Sequence, residues 1–307
     1  MSSWTGDESC IDCFRRGLSS FMAAGGLGGD EHAALLEGYM EDIEWRIRAH
    51  EPPPLAGAGA YRDLRARLAG ADIFSGLKTA VTDALVEMLP RLRERASRGG
   101  DPLMEALAMS TWGNLLDVAQ GTPLPGSAEI LGLMDGPLAL DGRRPFLDAL
   151  GGSGRLLVLG DNAGETVLDR LFLEYLPPGV GVTYAVRPGP VMNDAILSDA
   201  ERAGIGRFAV LIDTGLDAPT VDPSRMGTAL GKAWAAADAI LAKGQGNLEG
   251  MAGCGDGRVY HSFVVKCGVI SRLTGLAAGS AVFAARGSLI GGEDPCPSTS
   301  ISVAAAT

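Results

Sequence analysis

The pattern of apolar and polar positions divides the chain in two. Through residues 1–120, apolar residues recur every three or four positions, the spacing of amphipathic helices. In "DEHAALLEGYMEDIEWRIRAH" this spacing places Leu35, Leu36, Tyr39, Ile43 and Ile47 near one face. The prolines and glycines of "EPPPLAGAGA" interrupt it. "YRDLRARLAG", "LKTAVTDALVEMLPRLRERA" and "DPLMEALAMSTWGNLLDVA" predict further helices, with Pro90 kinking or dividing the second. Residues 121–150 contain Pro123, Pro125 and Pro137 and read as a connection with short helices. From Arg155 the pattern changes. "RLLVLGD", "VTYAVRP", "FAVLID", "AAADAILAK" and "HSFVVKC" each hold a short apolar run, and helical stretches separate most of them. This alternation predicts an α/β unit over 151–290, with a mainly parallel sheet covered by helices. The segment 291–307, "GGEDPCPSTSISVAAAT", is low in complexity and is expected to be flexible.

Ligands of parallel sheets bind beyond the carboxyl ends of the strands. The polar residues at those ends are Asp161-Asn162, Arg187, Asp213, Lys243 and Lys266, and the fold could bring them to one rim. Composition narrows what such a rim serves. The chain has 307 residues, 46% of them hydrophobic, enough for a substantial core. Its net charge of −11 argues against nonspecific nucleic-acid binding, so an anionic substrate would need local cations or a metal. No apolar run approaches the roughly 20 residues of a membrane span. "MSSWTGDESC" has no basic-then-apolar leader. Five cysteines, an odd number, do not suggest a secreted disulfide framework. The expectation is a cytoplasmic protein.

"GDNAGE", residues 160–165, joins a strand to a helix. Asp161, Asn162 and Asp213 offer hard oxygen donors that suit Mg²⁺ or Mn²⁺, with water completing the shell. The plainer alternative is that Asp161 caps the helix and Asp213 opens a loop. "AKGQGNLEG" then places Lys243 directly after a buried-looking strand, as a point charge for a phosphate oxygen. Gly244 and Gly246 would let the backbone approach a ligand. Asn247 and Glu249 add polar groups. In "RPGPVMND", Asn193 and Asp194 are possible ligand contacts, although Asp194 reads better as a cap for the next helix. The pair Cys10 and Cys13 supplies only two of the four ligands that a structural zinc needs. It reads equally as a redox pair or as a helix start with partly buried thiols.

Taken in order, "GDNAGE", "NDA", "IDTG", "ADAILAKGQGNLE" and "VVKC" resemble the motifs of the DUF89 (ARMT1-like) family of metal-dependent damage-control phosphatases. "CIDCFRRG" is similar to the opening CxxC segment of its mainly prokaryotic branch, and "DPLMEALAMSTWGNLLDVA" to its Asp-Pro…Gly-Asn-x-x-Asp helix. The resemblance runs from about Cys10 to about Ser280. It implies a Rossmann-like three-layer α/β/α sandwich with an N-terminal helical subdomain over 1–120. It also implies a divalent metal (Mg²⁺, Mn²⁺, Co²⁺ or Ni²⁺) held by Asp161, Asn162 and Asp213, with Lys243 on the substrate phosphate. Asn193, Glu165, Gly244, Gly246, Asn247 and Lys266 would contribute to substrate binding, and Asn114 and Asp117 would close the site from above. The implied reaction is hydrolysis of small phosphorylated metabolites, such as sugar phosphates or nucleotides, by metal-activated water. On this reading the charge of Lys243 matters to turnover and little to stability. Leu248 stands where the family has an aromatic, Ile196 where it often has Thr, and "ADIFSGLK" matches only in part, although Lys78 is kept; these departures bear on substrate identity. The alternatives are an S-adenosylmethionine-dependent carboxyl methyltransferase, for which the usual glycine-rich loop is missing, a pathway-specific enzyme of diverged chemistry, and a noncatalytic binding protein.

Overall fold

The structure is a computed structural model, and it describes residues 6–116 and 126–289. The predictions for Asp117 and for the tail fall outside these residues. The described residues form a sheet of seven strands: β1 (Leu140–Asp141), β2 (Arg155–Leu159), β3 (Gly181–Val186), β4 (Val210–Asp213), β5 (Ala239–Lys243), β6 (Val259–Val264) and β7 (Ala281–Ala285). Their order is β1-β7-β6-β5-β2-β3-β4. All neighbours are parallel except β6 and β7. The five apolar runs are strands β2 to β6. The two strands the pattern missed are β1, which has two residues, and β7, whose "AVFAA" is mostly alanine, with Val282 and Phe283 as its only strand-favouring residues.

The chain runs from β2 outward through β3 to β4, then returns to the other side of β2 as β5 and β6. The strand order therefore reverses between β2 and β5, and the crevice at such a switch point is where open α/β sheets bind ligands. The side chains of β2 alternate between the faces, as its period of two requires. Leu156 and Val158 join the core beneath helices Ser75–Arg98, Pro102–Trp112 and Glu165–Glu174. Leu157 and Leu159 pack on the other face against Leu230 and Trp234 of helix Thr228–Ala236. These layers make the sandwich.

A separate core of Leu18, Met22, Met40, Ile43, Tyr61 and Leu64 holds the first helices together. It uses the predicted face of helix Asp30–Arg48. That core extends to Ile73 and Phe74 and takes in Met192, whereas the helices over 75–112 share the sheet's own core. Ser75–Arg98 is a single helix that continues through Pro90. Asp101 caps helix Pro102–Trp112 by accepting the Met104 N–H at 3.2 Å, and its first residue is a proline, which costs no hydrogen bond there.

Candidate active site at the strand switch point

Asp161 follows β2 and does not cap the next helix: Glu165–Glu174 starts after Gly164, with no side-chain cap. Instead, Asp161 Oδ2 accepts hydrogen bonds from Asn114 Nδ2 (2.9 Å) and Asn162 Nδ2 (3.0 Å). The Arg187 guanidinium lies 3.7 Å from its Oδ1. The segment 193–195 is strapped across this turn. Ala195 N–H donates to Asp161 O (2.7 Å), Ala163 N–H to Asn193 O (2.9 Å), and Asn193 Nδ2 to Asn162 Oδ1 (2.8 Å). Asp194 faces the same point and accepts Arg187 Nε at 2.7 Å. The expectation that Asp194 caps a helix is corrected: Asp199 does that work, accepting the Ile196 N–H at 3.0 Å.

These groups are all buried. Burial, with the neighbouring Asp194 and Glu165 carboxylates, pushes the Asp161 carboxyl well above its ordinary range, against the pull of Lys266 and Arg187. Lys266, two residues beyond β6, is half-buried, and its field reaches Asp161. Its N–H donates to Gln245 Oε1 at 3.1 Å.

Lys243 is placed differently from the expected rim position. It is fully buried, and its ammonium pairs with Glu165 Oε1 (2.8 Å) and Asp169 Oδ1 (2.7 Å). It also donates to Ser110 O (2.9 Å) and Ser110 Oγ (2.6 Å). The reason is strand periodicity. Lys243 shares a face of β5 with Leu241 and Ala239, which point into the core under helix Pro102–Trp112. Burial pulls its pKa down, but the Asp169 and Glu165 carboxylates outweigh burial and leave it raised. Glu165 is itself pushed up by burial despite Lys243. Tyr184 completes the network, donating to Asp169 Oδ2 at 2.6 Å.

"GQGNLEG" forms a helix, Gly244–Gly250, and not an open turn. Gly244 has φ of +77°, and a Cβ there would lie 2.0 Å from Asp161 Oδ2. The glycine lets β5 close against a protein carboxylate. A Cβ on Gly246 would meet the Pro219 carbonyl at 2.7 Å, so its requirement is packing. Asn247 ties the strand ends together: its Nδ2 donates to Lys243 O at 2.7 Å, and its Oδ1 accepts from Arg187 at 3.3 Å. Asn114 reaches down from the helical layer and bridges Asp161, Glu165 (3.0 Å) and the Val264 N–H (3.2 Å).

Asp213 is not brought to this cluster. It ends the edge strand β4, with β3 between it and β2, a separation of about 10 Å from two strand spacings. Its Oδ1 accepts the Gly215 N–H at 2.9 Å, which makes it the opener of its loop. Sequence reasoning missed Asp169, Ser110 and Tyr184. Asp169 had a signal, standing four residues after Glu165 on one helix face. Among the described residues, no three His, Cys, Asp or Glu side chains converge as a metal-holding group. The donors at the switch point are two carboxylates and an amide. Cys10 and Cys13 are free thiols, and burial pushes Cys10 up to about 11.

The model of the damage-control phosphatase ARMT1-like domain matches residues 7–282. The chain belongs to this family. The damage-control phosphatase PH1575 of Pyrococcus horikoshii is 28% identical over 170 residues, which cover 54% of this chain and 59% of that protein. The uncharacterized protein MJ0202 of Methanocaldococcus jannaschii is 26% identical over 265 residues, covering 83% of this chain and 87% of that protein. A damage-control phosphatase of Archaeoglobus fulgidus is 26% identical over 218 residues, covering 69% and 75%. The crystal structure of PH1575, a DUF89 family protein, superimposes with a TM-score of 0.79 at 21% identity, covering 92% of this chain and 99% of that one. The family's α/β sandwich is therefore the fold of this chain. Among the described residues, no helix is long and apolar enough to cross a membrane.

Proposed function

We propose that the chain is a divalent-metal-dependent phosphatase acting on small phosphorylated metabolites. The observation that carries this reading is the buried carboxylate of Asp161 at the switch point, beside Asn162 and Asp194 and within the field of Lys266. The donor set fits a hard divalent cation. Among the described residues, the carboxylates of Asp161, Glu165, Asp169 and Asp194 are buried beside Lys243 and Arg187, while the nearby Lys78 is already paired with Asp72 and Asp199, so the cluster favours a further positive charge. Mg²⁺, Mn²⁺, Co²⁺ or Ni²⁺ would be held by Asp161, Asn162 and Asp194, with Asp194 in the role expected of Asp213.

A bound divalent ion would supply Lewis acidity and a water of lowered pKa. Asn114 and Arg187 orient the two carboxylates. With Asp161 Oδ2 held by the amides of Asn114 and Asn162, its Oδ1 is the oxygen left to hold the cation. Lys266 offers a compact charge to the phosphate oxygens and stabilises charge that develops on them. Lys243 acts from below, fixing Glu165 and thereby the Asn114 bridge to Asp161.

The test is phosphate release from a panel of sugar phosphates, nucleotides and related esters with each of the four metals. Metal-dependent release is expected from the wild type and from Asp213→Asn, and its loss from Asp194→Asn. No release from any ester with any metal overturns the phosphatase reading. Equal loss in Asp213→Asn and Asp194→Asn overturns the choice of ligand.

A further inference from the structure

The strap that carries Asp194 has two sets of attachments. From the sheet side come the backbone bonds to Asp161 and Ala163, and that of Arg187 N–H to Ala195 O at 2.9 Å. From the helical layer comes Lys78, in the first turn of helix Ser75–Arg98. Its side chain is buried. Its ammonium donates to the backbone carbonyl of Asp194 at 3.2 Å. It pairs with Asp199 Oδ2 at 2.6 Å and with Asp72 Oδ2 at 2.7 Å. Asp199 in turn holds the Ile196 N–H. One ammonium therefore grips the strap at Asp194 and, through Asp199, at Ile196.

A lysine is a costly way to fill a buried volume that a methionine could fill, because its charge must be desolvated. What the charge adds is direction: three acceptors from three segments converge on one atom. Lys78 Nζ bonds the backbone of Asp194 while Arg187 bonds its carboxylate, so the two cations fix the residue from opposite ends. We propose that Lys78 is a positioning residue: by holding the Asp194 backbone it sets the affinity of the site for its divalent cation. This inference rests on the metal-dependent reading above.

The test is calorimetric titration of the full chain with Mn²⁺ alone, which needs no turnover. Lys78→Met is expected to weaken Mn²⁺ binding about 10–100-fold, the scale for losing a group that orients a metal ligand. Asp72→Asn removes a partner of Lys78 without touching the strap, and its Mn²⁺ affinity is expected within twofold of wild type. Should Lys78→Met not fold, Lys78→Arg is read in its place; it keeps the charge but moves the donors, and the same weakening is expected at a nearly unchanged Tm. A folded Lys78 variant that binds Mn²⁺ as tightly as wild type overturns the inference and leaves the phosphatase reading standing. So does Asp72→Asn weakening binding as much as the Lys78 variant, since the effect would then follow general loss of packing. A wild type that binds no Mn²⁺ overturns both.

Discussion

Replacing Lys243 tests the buried network directly, and it reverses what the sequence implies. A lysine on the rim of a site would cost turnover when removed and little stability. The structure instead gives its ammonium two carboxylates and both oxygens of Ser110, all within 2.9 Å. Lys243→Met keeps most of the side-chain volume, so the cavity contribution is small. What remains is the loss of the charge beside Glu165 and Asp169, both fully buried. Removing one partner of a buried ion pair costs about 3–5 kcal/mol. That is a fifth or more of the stability of a typical domain, about 5–15 kcal/mol. The cost depends on pH in a definite direction. Burial already raises the Glu165 carboxyl, and without Lys243 it rises further. The variant can then escape the penalty at low pH by protonating, and it loses stability as pH rises. Urea unfolding followed by circular dichroism at pH 5.5 and pH 8 measures this. The variant should lose more at pH 8, and adding Asp169→Asn should recover part of the loss. A loss below about 1 kcal/mol at pH 8 would place Lys243 among surface lysines and refute the network.

Two further outcomes follow from the same geometry. Gly244→Ala puts a methyl 2.0 Å from Asp161 Oδ2 and strains a φ of +77°, so the carboxylate must move by more than 1 Å on the order of van der Waals contact; metal-dependent kcat/KM should fall about 100-fold, and an alanine variant within threefold of wild type would show that the carboxylate tolerates displacement. Burial lifts the Glu249 carboxyl from 4.5 to about 7, so the folded state keeps a proton that the unfolded chain has lost. Its contribution is present below pH 4.5 and disappears as pH rises through 7, by up to about 3 kcal/mol. Glu249→Gln should therefore flatten the fall in urea stability between pH 5 and pH 8, and an unchanged slope would refute the assignment.

The α/β class, five of the seven strands and the helical region were legible in the chain, because binary pattern is a local property. So was the region of the site: a polar residue directly after an apolar strand must lie near the sheet's carboxyl edge. Asp161, Asn162, Asn193, Glu165 and Asn114 converge as the motifs suggest. Which strand end lies beside which was decided only by the tertiary structure. Asp213 ends a strand and Asp194 lies in the loop after one, yet the sheet order puts Asp213 at an edge while the strap returns Asp194 to Asn162. The face of β5 that turns Lys243 inward depends on where helix Pro102–Trp112 packs, which local sequence does not record. The grip of Lys78 on Asp194 spans 116 residues. Pattern reports which residues leave water, and only packing decides which of them meet.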